Sequence, residues 1–124
     1  MQKITSEIKK LIEGNALAIA TTDDKSNPHC IVVGYPKVVS ESQIVLSAIY
    51  IGETLKNIER NNNVALVVWS RNWEEVCEGY ELRGKAEYFT SGKWKKFVDN
   101  LPENKDEKTK GAVLVTVEKI KKLA

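Results

Sequence analysis

Side chains that could do chemistry are few in this chain. Its single histidine, His29, is followed directly by Cys30, one of two cysteines, after the polar stretch DDKSNP. On a strand, neighbouring side chains point to opposite faces, so His29 and Cys30 cannot converge on one substrate atom. One histidine and two separated cysteines, Cys30 and Cys77, also lack zinc-ligand spacing. Paired carboxylates occur as DD, EE and DE, all within turn-like or highly charged stretches where solvated residues are the ordinary outcome. None of the Gly-rich phosphate loops or the GxSxG nucleophile elbow is present. No catalytic residue and no metal site is assigned on these grounds.

The junction LSAIYIGETLKN is more informative. A strand runs into Gly52, and the first turn of the following helix holds Thr54 and Lys56. Free amides and the positive end of the helix dipole suit an anionic group there, and a hydroxyl and an ammonium add donors. For a partly buried phosphate the dipole contributes up to ~2 kcal/mol. Glu53 opposes this, because its charge repels an anion. The alternative is an ordinary helix start with Lys56 in solvent. Of the three tryptophans, Trp94 has core spacing, whereas Trp73, in the polar SRNWEEV, has no evident structural task.

The elements that must position these residues follow from periodicity. Ile4, Ile8, Leu11 and Ile12 form one helical face, which Gly14 is placed to end as a left-handed cap. ALAIATT is a strand, DDKSNP a turn, and HCIVVGYPKVV a second strand, with Gly34 and Pro36 marking a bulge, an edge or a bend. QIVLSAIYI is the third strand, ETLKNIERN a short helix, VALVVWS the fourth strand and YELRGKAEYF the fifth. Trp94, Phe97, Val98 and Leu101 mark another helix, ended by Pro102. ENKDEKTK, with no apolar residue, is expected as an exposed loop before the last strand, GAVLVTV, and a lysine-rich tail. Six strands linked mostly by tight turns make an antiparallel sheet able to close a small barrel within a single domain, 1–124. Residues 16–20, 64–69 and 112–117 are apolar almost without alternation, so something must cover their outer faces. A second copy of the chain is the simplest cover.

Composition narrows the class of function. A net charge of +2, with acidic and basic residues intermixed, argues against a nucleic-acid partner. No apolar run is long enough to span a bilayer, and the opening MQKITSEIKKLIEG lacks the apolar stretch and small-residue cleavage site of a signal peptide. With no CxxC pair, these features lead to the expectation of a cytoplasmic protein without membrane attachment.

ALAIATTDDKSNPHCIVV, IVLSAIYIGETLKNIERNNNVALVVW and GYELRGKAEYF, in that order and spacing, resemble the split-barrel flavoproteins related to pyridoxamine 5′-phosphate oxidase. The likeness spans roughly residues 7–120 and is nearest to the small dimeric FMN-binding proteins of that superfamily. It implies a six-stranded antiparallel split barrel, mainly β, and a homodimer with FMN at the subunit interface. By the same resemblance Val32 and Val33 line the flavin. Leu46, Ser47, Ala48 and Ile49 pass along the ring and ribityl chain, largely through backbone groups. Thr54 and Lys56 hold the phosphate, and Gly34, Tyr35 and Leu123 approach the other subunit's flavin. Glu53 departs from the family's frequent lysine or arginine, and Val32 and Val33 replace polar side chains.

The chemistry of such a protein belongs mainly to its cofactor. The expected function is therefore electron transfer or flavin-dependent reduction, with a small-molecule or protein redox partner. Three arginines, Arg60, Arg71 and Arg83, give no convincing set for a second, substrate phosphate. The alternative is another planar ligand, haem or a deazaflavin, with His29 as the axial histidine. A small barrel stacking single-stranded nucleic acid on its aromatics is opposed by the mixed charge.

Overall fold

In the computed structural model, which describes residues 2–124, seven strands form one antiparallel sheet. In chain order the elements are α1 (Ser6–Gly14), β1 (Leu17–Thr22), β2 (Pro28–Val33), β3 (Lys37–Ser40), β4 (Gln43–Ala48), α2 (Gly52–Arg60), β5 (Asn63–Trp69), β6 (Gly79–Phe89), α3 (Lys93–Asp99) and β7 (Gly111–Lys122). The expected count of six strands is corrected to seven. The run HCIVVGYPKVV is cut in two because the backbone at Tyr35 turns to a φ of 53°, in the left-handed region where no strand continues. Pro36, which lacks an amide donor, follows at the break. The two halves become the two edges of the sheet, in the order β2-β1-β5-β6-β7-β4-β3.

No ladder joins β2 to β3, so the expected barrel does not close through hydrogen bonds. The sheet instead wraps around a shared core, to which Val33 of one edge and Val38 of the other both contribute. Ile8 and Ile12 of α1 plug this core together with Leu55 and Ile58 of α2. Ile12, Leu17, Ile44, Leu46 and Leu82 are wholly inaccessible to solvent. Each such side chain contributes roughly 1.5–3 kcal/mol through burial.

Local features differ from expectation at three further points. Thr5 caps α1, its Oγ1 accepting a hydrogen bond from the Ile8 amide at 3.3 Å. At the other end Gly14 is not a left-handed cap, because the chain leaves through an extended Asn15 with φ −142°. The lysine-rich tail is not a tail: β7 runs to Lys122, with Lys119 and Lys121 opposite Arg83 and Glu81 of β6. These long strands slip by one residue at Gly84, where any Cβ would lie 2.0 Å from the Thr116 carbonyl oxygen. Finally, ENKDEKTK is not all exposed, since Asn104 and Thr109 are buried.

The three strands that are apolar on both faces receive different treatment. The outer face of β7, with Ala112 and Leu114, is covered by α3, where Val98, Trp94 and Phe97 complete a second core with Val45. That corrects the expectation of a second copy at residues 112–117. The outer faces of β1 and β5 have no such helix. There Ala18, Ala20, Ala65 and Val67 are only partly covered, and Val32, Trp69 and Leu123 are exposed.

Candidate functional site

The site is built at the seam between the two edges. After Val33, the Gly34–Pro36 connection carries the chain from one edge to the other and passes the end of β4. A cavity of about 200 Å³ opens there, lined by Val32, Val33, Gly34, Tyr35, Ser47 and Ile49, together with Tyr50, Ile51, Asn104 and Glu107. Six of the residues singled out from the sequence thus meet in one place. Val32 and Val33 divide the work, as strand alternation requires: Val32 is 67% exposed, whereas the Val33 side chain is in the core. Leu46 and Ala48 turn inward and are fully buried, so neither side chain reaches the cavity, while Ser47 between them faces it. Tyr50, Ile51, Asn104 and Glu107 were not foreseen. Tyr50 lies within the quoted junction, but Asn104 and Glu107 come from the charged segment before β7.

A second cavity, about 580 Å³, begins one residue further on, at Gly52, and includes Glu53, Lys56, Asn57 and Arg60 of α2 with Asp23 and Asp24 of the β1–β2 turn. No side chain caps the start of α2, which leaves its first amides free. Thr54 is 1% exposed, and its Oγ1 is buried without a hydrogen-bond partner. A buried hydroxyl in this state costs free energy that a bound acceptor or donor would return. Thr54 does not line this second cavity, as Lys56 does.

The three carboxylates around Lys56 are already engaged. Asp23 Oδ1 accepts the Lys25 and Asn27 amides at 2.8 Å each, and its Oδ2 accepts the Asn27 side-chain amide at 3.0 Å. Those Asn27 donors hold the exposed Asp23 carboxyl below its ordinary pKa. Asp24 meets Arg60 at 3.3 Å, and Glu53 lies 3.5 Å from His29 Nδ1. Lys56 has no ion-pair partner among the described residues. An anion arriving at the helix start would find one uncommitted ammonium.

His29 and Cys30 separate as strand geometry demands. His29 is half-buried against Glu53, and Cys30 is exposed on the opposite face. Cys30 there borders a shallow apolar depression of about 160 Å³ with Ala18, Ala20, Ala65, Val67 and Leu123. Across the strands, Val32 lies opposite Ala18, and Ala18 opposite Val67. The open face of β1 and β5 is therefore continuous with the seam cavity through Val32. Leu123 stands in that open face rather than in the seam. Trp73 rests near Gly79, where an added Cβ would lie 3.6 Å from its ring, so it packs its own loop. Among the described residues no cluster of His, Cys, Asp and Glu suits a metal ion, and no helix is long and apolar enough to cross a membrane.

Comparison with known proteins agrees with this architecture. The family model described as pyridoxamine 5′-phosphate oxidase matches residues 4–124. An uncharacterized protein of Methanocaldococcus jannaschii is 33% identical over 122 residues, covering 95% of this chain and 79% of that protein. HupZ of Group A Streptococcus superposes with a TM-score of 0.87 at 26% identity, covering 97% of this chain and 94% of its own. An FMN-binding protein from Syntrophomonas wolfei gives a TM-score of 0.78 over 94% of this chain and 83% of its own; at 16% identity it shows the shared split-barrel fold alone.

Proposed function

The chain belongs to the pyridoxamine 5′-phosphate oxidase family, and on that premise we propose that it is an FMN-binding flavoprotein, active in electron transfer or flavin-dependent reduction, with the flavin at a homodimer interface. The observation that carries this reading is the pair of cavities flanking Ile51–Gly52. One offers a wall of Val32, Tyr35 and Ile49 to a planar ring. At the other, the uncapped helix start and Lys56 suit a phosphate, and the unpartnered Thr54 hydroxyl lies in the same helical turn. These features fit FMN. When bound, FMN supplies one- and two-electron redox chemistry. The protein's part is to hold the phosphate, orient the ring and exclude water from one face.

The single-chain seam cavity of about 200 Å³ is smaller than the roughly 300–1,000 Å³ usual for small-molecule sites. A second copy seated on the open β1–β5 face would supply the missing wall, since that face adjoins the cavity at Val32. The redox partner, small molecule or protein, would then approach the ring from the solvent side. The arginines support a flavoprotein without a second phosphate site. Arg60 binds Asp24, Arg71 Nε donates to Asn15 Oδ1, and Arg83 pairs with Glu81.

The test is the absorption spectrum of the purified protein, read beside an FMN titration. A yellow protein that releases FMN on heating supports the reading, and the Thr54→Ala/Lys56→Ala variant is expected to bind FMN more weakly. A colourless protein that cannot be reconstituted with FMN contradicts it. One observation favours a second reading, haem in place of flavin. Glu53 lies 3.5 Å from His29 Nδ1, on the side from which a hydrogen-bonded carboxylate would orient Nε2 toward a metal. A haem Soret shift lost in His29→Ala would favour that reading.

A further inference from the structure

Asn104 is 3% exposed, and its side-chain nitrogen lies 2.8 Å from the Val98 carbonyl oxygen and 2.8 Å from Ser47 Oγ. A backbone carbonyl only accepts, so the nitrogen of the amide, not its oxygen, must face Val98. That nitrogen carries two hydrogens, and both are now assigned: one to Val98, the other to Ser47. Ser47 Oγ is thereby an acceptor from Asn104, and its own proton must be donated elsewhere. Among the described residues it has no acceptor, although Ser47 is itself 7% exposed. Glu107, the carboxylate lining the same cavity, makes no bond to it. The cavity is the remaining direction.

We propose that Asn104 presets Ser47 as a hydrogen-bond donor into the seam cavity, so that the site selects a planar ligand carrying a lone pair on its ring rim. The inference rests on the flavin reading above and deepens it. An oxidised isoalloxazine presents ring nitrogens and carbonyl oxygens as acceptors along its polar edge. The methyl- and vinyl-bearing edges of a haem present none, its two propionates aside, and against those edges the Ser47 proton would be left unpaired. Asn104 is a positioning residue here, acting through Ser47, and Ser47 is the group that touches the ligand. Leu46 and Ala48 point into the core, so no neighbour on β4 can substitute.

The experiment is FMN binding by fluorescence titration to the full chain as wild type, Ser47→Ala, Asn104→Asp and the double variant. Asn104→Asp replaces the nitrogen by an oxygen with at most one hydrogen, which the Val98 carbonyl takes, so the Ser47 proton turns to that oxygen and away from the cavity. Each single change is expected to weaken FMN about tenfold, the loss of one hydrogen bond. In the Ser47→Ala background Asn104→Asp should add less than about twofold. Full additivity, or wild-type affinity in Ser47→Ala, overturns the proposal while leaving the flavin reading intact. A wild type that binds no FMN overturns both. Should Asn104→Asp fail to fold, the vibrational spectrum of bound FMN decides. A ring carbonyl or C=N band at higher frequency in Ser47→Ala supports the proposal, and an unmoved spectrum overturns it.

Discussion

The outer faces of β7 and of β1–β5 have the same kind of sequence and opposite fates. Both are apolar where a sheet facing water would be polar. Over β7 the chain supplies its own cover, with α3 placing Val98 and Phe97 against Ala112 and Leu114. Over β1 and β5 it supplies none, and the middle of that face is built of small residues, Ala18, Ala20 and Ala65, bordered by Val67, Val32 and Leu123. Alanines make a flat surface onto which another sheet can settle closely, whereas the bulkier residues of the covered face require interdigitation. The covered face thus serves stability of the single chain, and the open face is the one on which the proposed second copy would sit.

Substitutions can separate the two roles. On the covered face, Leu114→Ala removes a buried side chain and is expected to cost about 2–5 kcal/mol in denaturant unfolding. A loss below about 1 kcal/mol would show that α3 does not seal this face. In the first turn of α2, Thr54→Val has the opposite sign. Removing a buried unpaired hydroxyl is expected to stabilise the ligand-free protein by about 1 kcal/mol while weakening FMN. A variant both less stable and unimpaired in FMN binding would mean the hydroxyl has a structural role instead.

On the open face, Val67→Lys stands opposite Glu81 and is expected to change single-chain stability by no more than about 0.5 kcal/mol. The same change should lower the mass in solution and loosen the flavin. An unaltered mass would break the comparison. The smallest effect concerns the β1–β2 turn beside Lys56. Asp23 has a folded pKa lowered from 3.8, chiefly by the Asn27 amide, so its charged form is favoured in the fold. Its contribution is present above the unfolded value and lost as the pH falls through the lower folded value. Acid titration of stability should therefore lose part of its slope below pH 3.8 in Asp23→Asn, and FMN affinity at neutral pH should rise slightly as the charge near Lys56 is removed.

The sequence made much of this legible where the signals are local. The periodicity of Ile8, Leu11 and Ile12, the DDKSNP turn and the Gly52 helix start each needed only nearby residues. The break at Tyr35 was visible as Gly34 and Pro36 but not as two edge strands, because a left-handed φ at a tyrosine has no compositional sign. Val32 and Val33 look equivalent in the chain, yet alternation alone sends one outward and one into the core. Asn104 was hidden most completely. It sits among charged residues, and its burial depends on Ser47, which lies 57 positions away. The same distance concealed the cover of β7, since α3 had to be known to fold back on it.

The central claim is that two copies of the chain complete one kind of flavin site between them. Native mass spectrometry of the protein as purified tests it most directly. The account predicts a species of twice 14.0 kDa carrying FMN, which releases the flavin when the Val67→Lys change drives it to single chains. A single chain that retains FMN at full affinity, or a dimer that never binds it, would contradict the account.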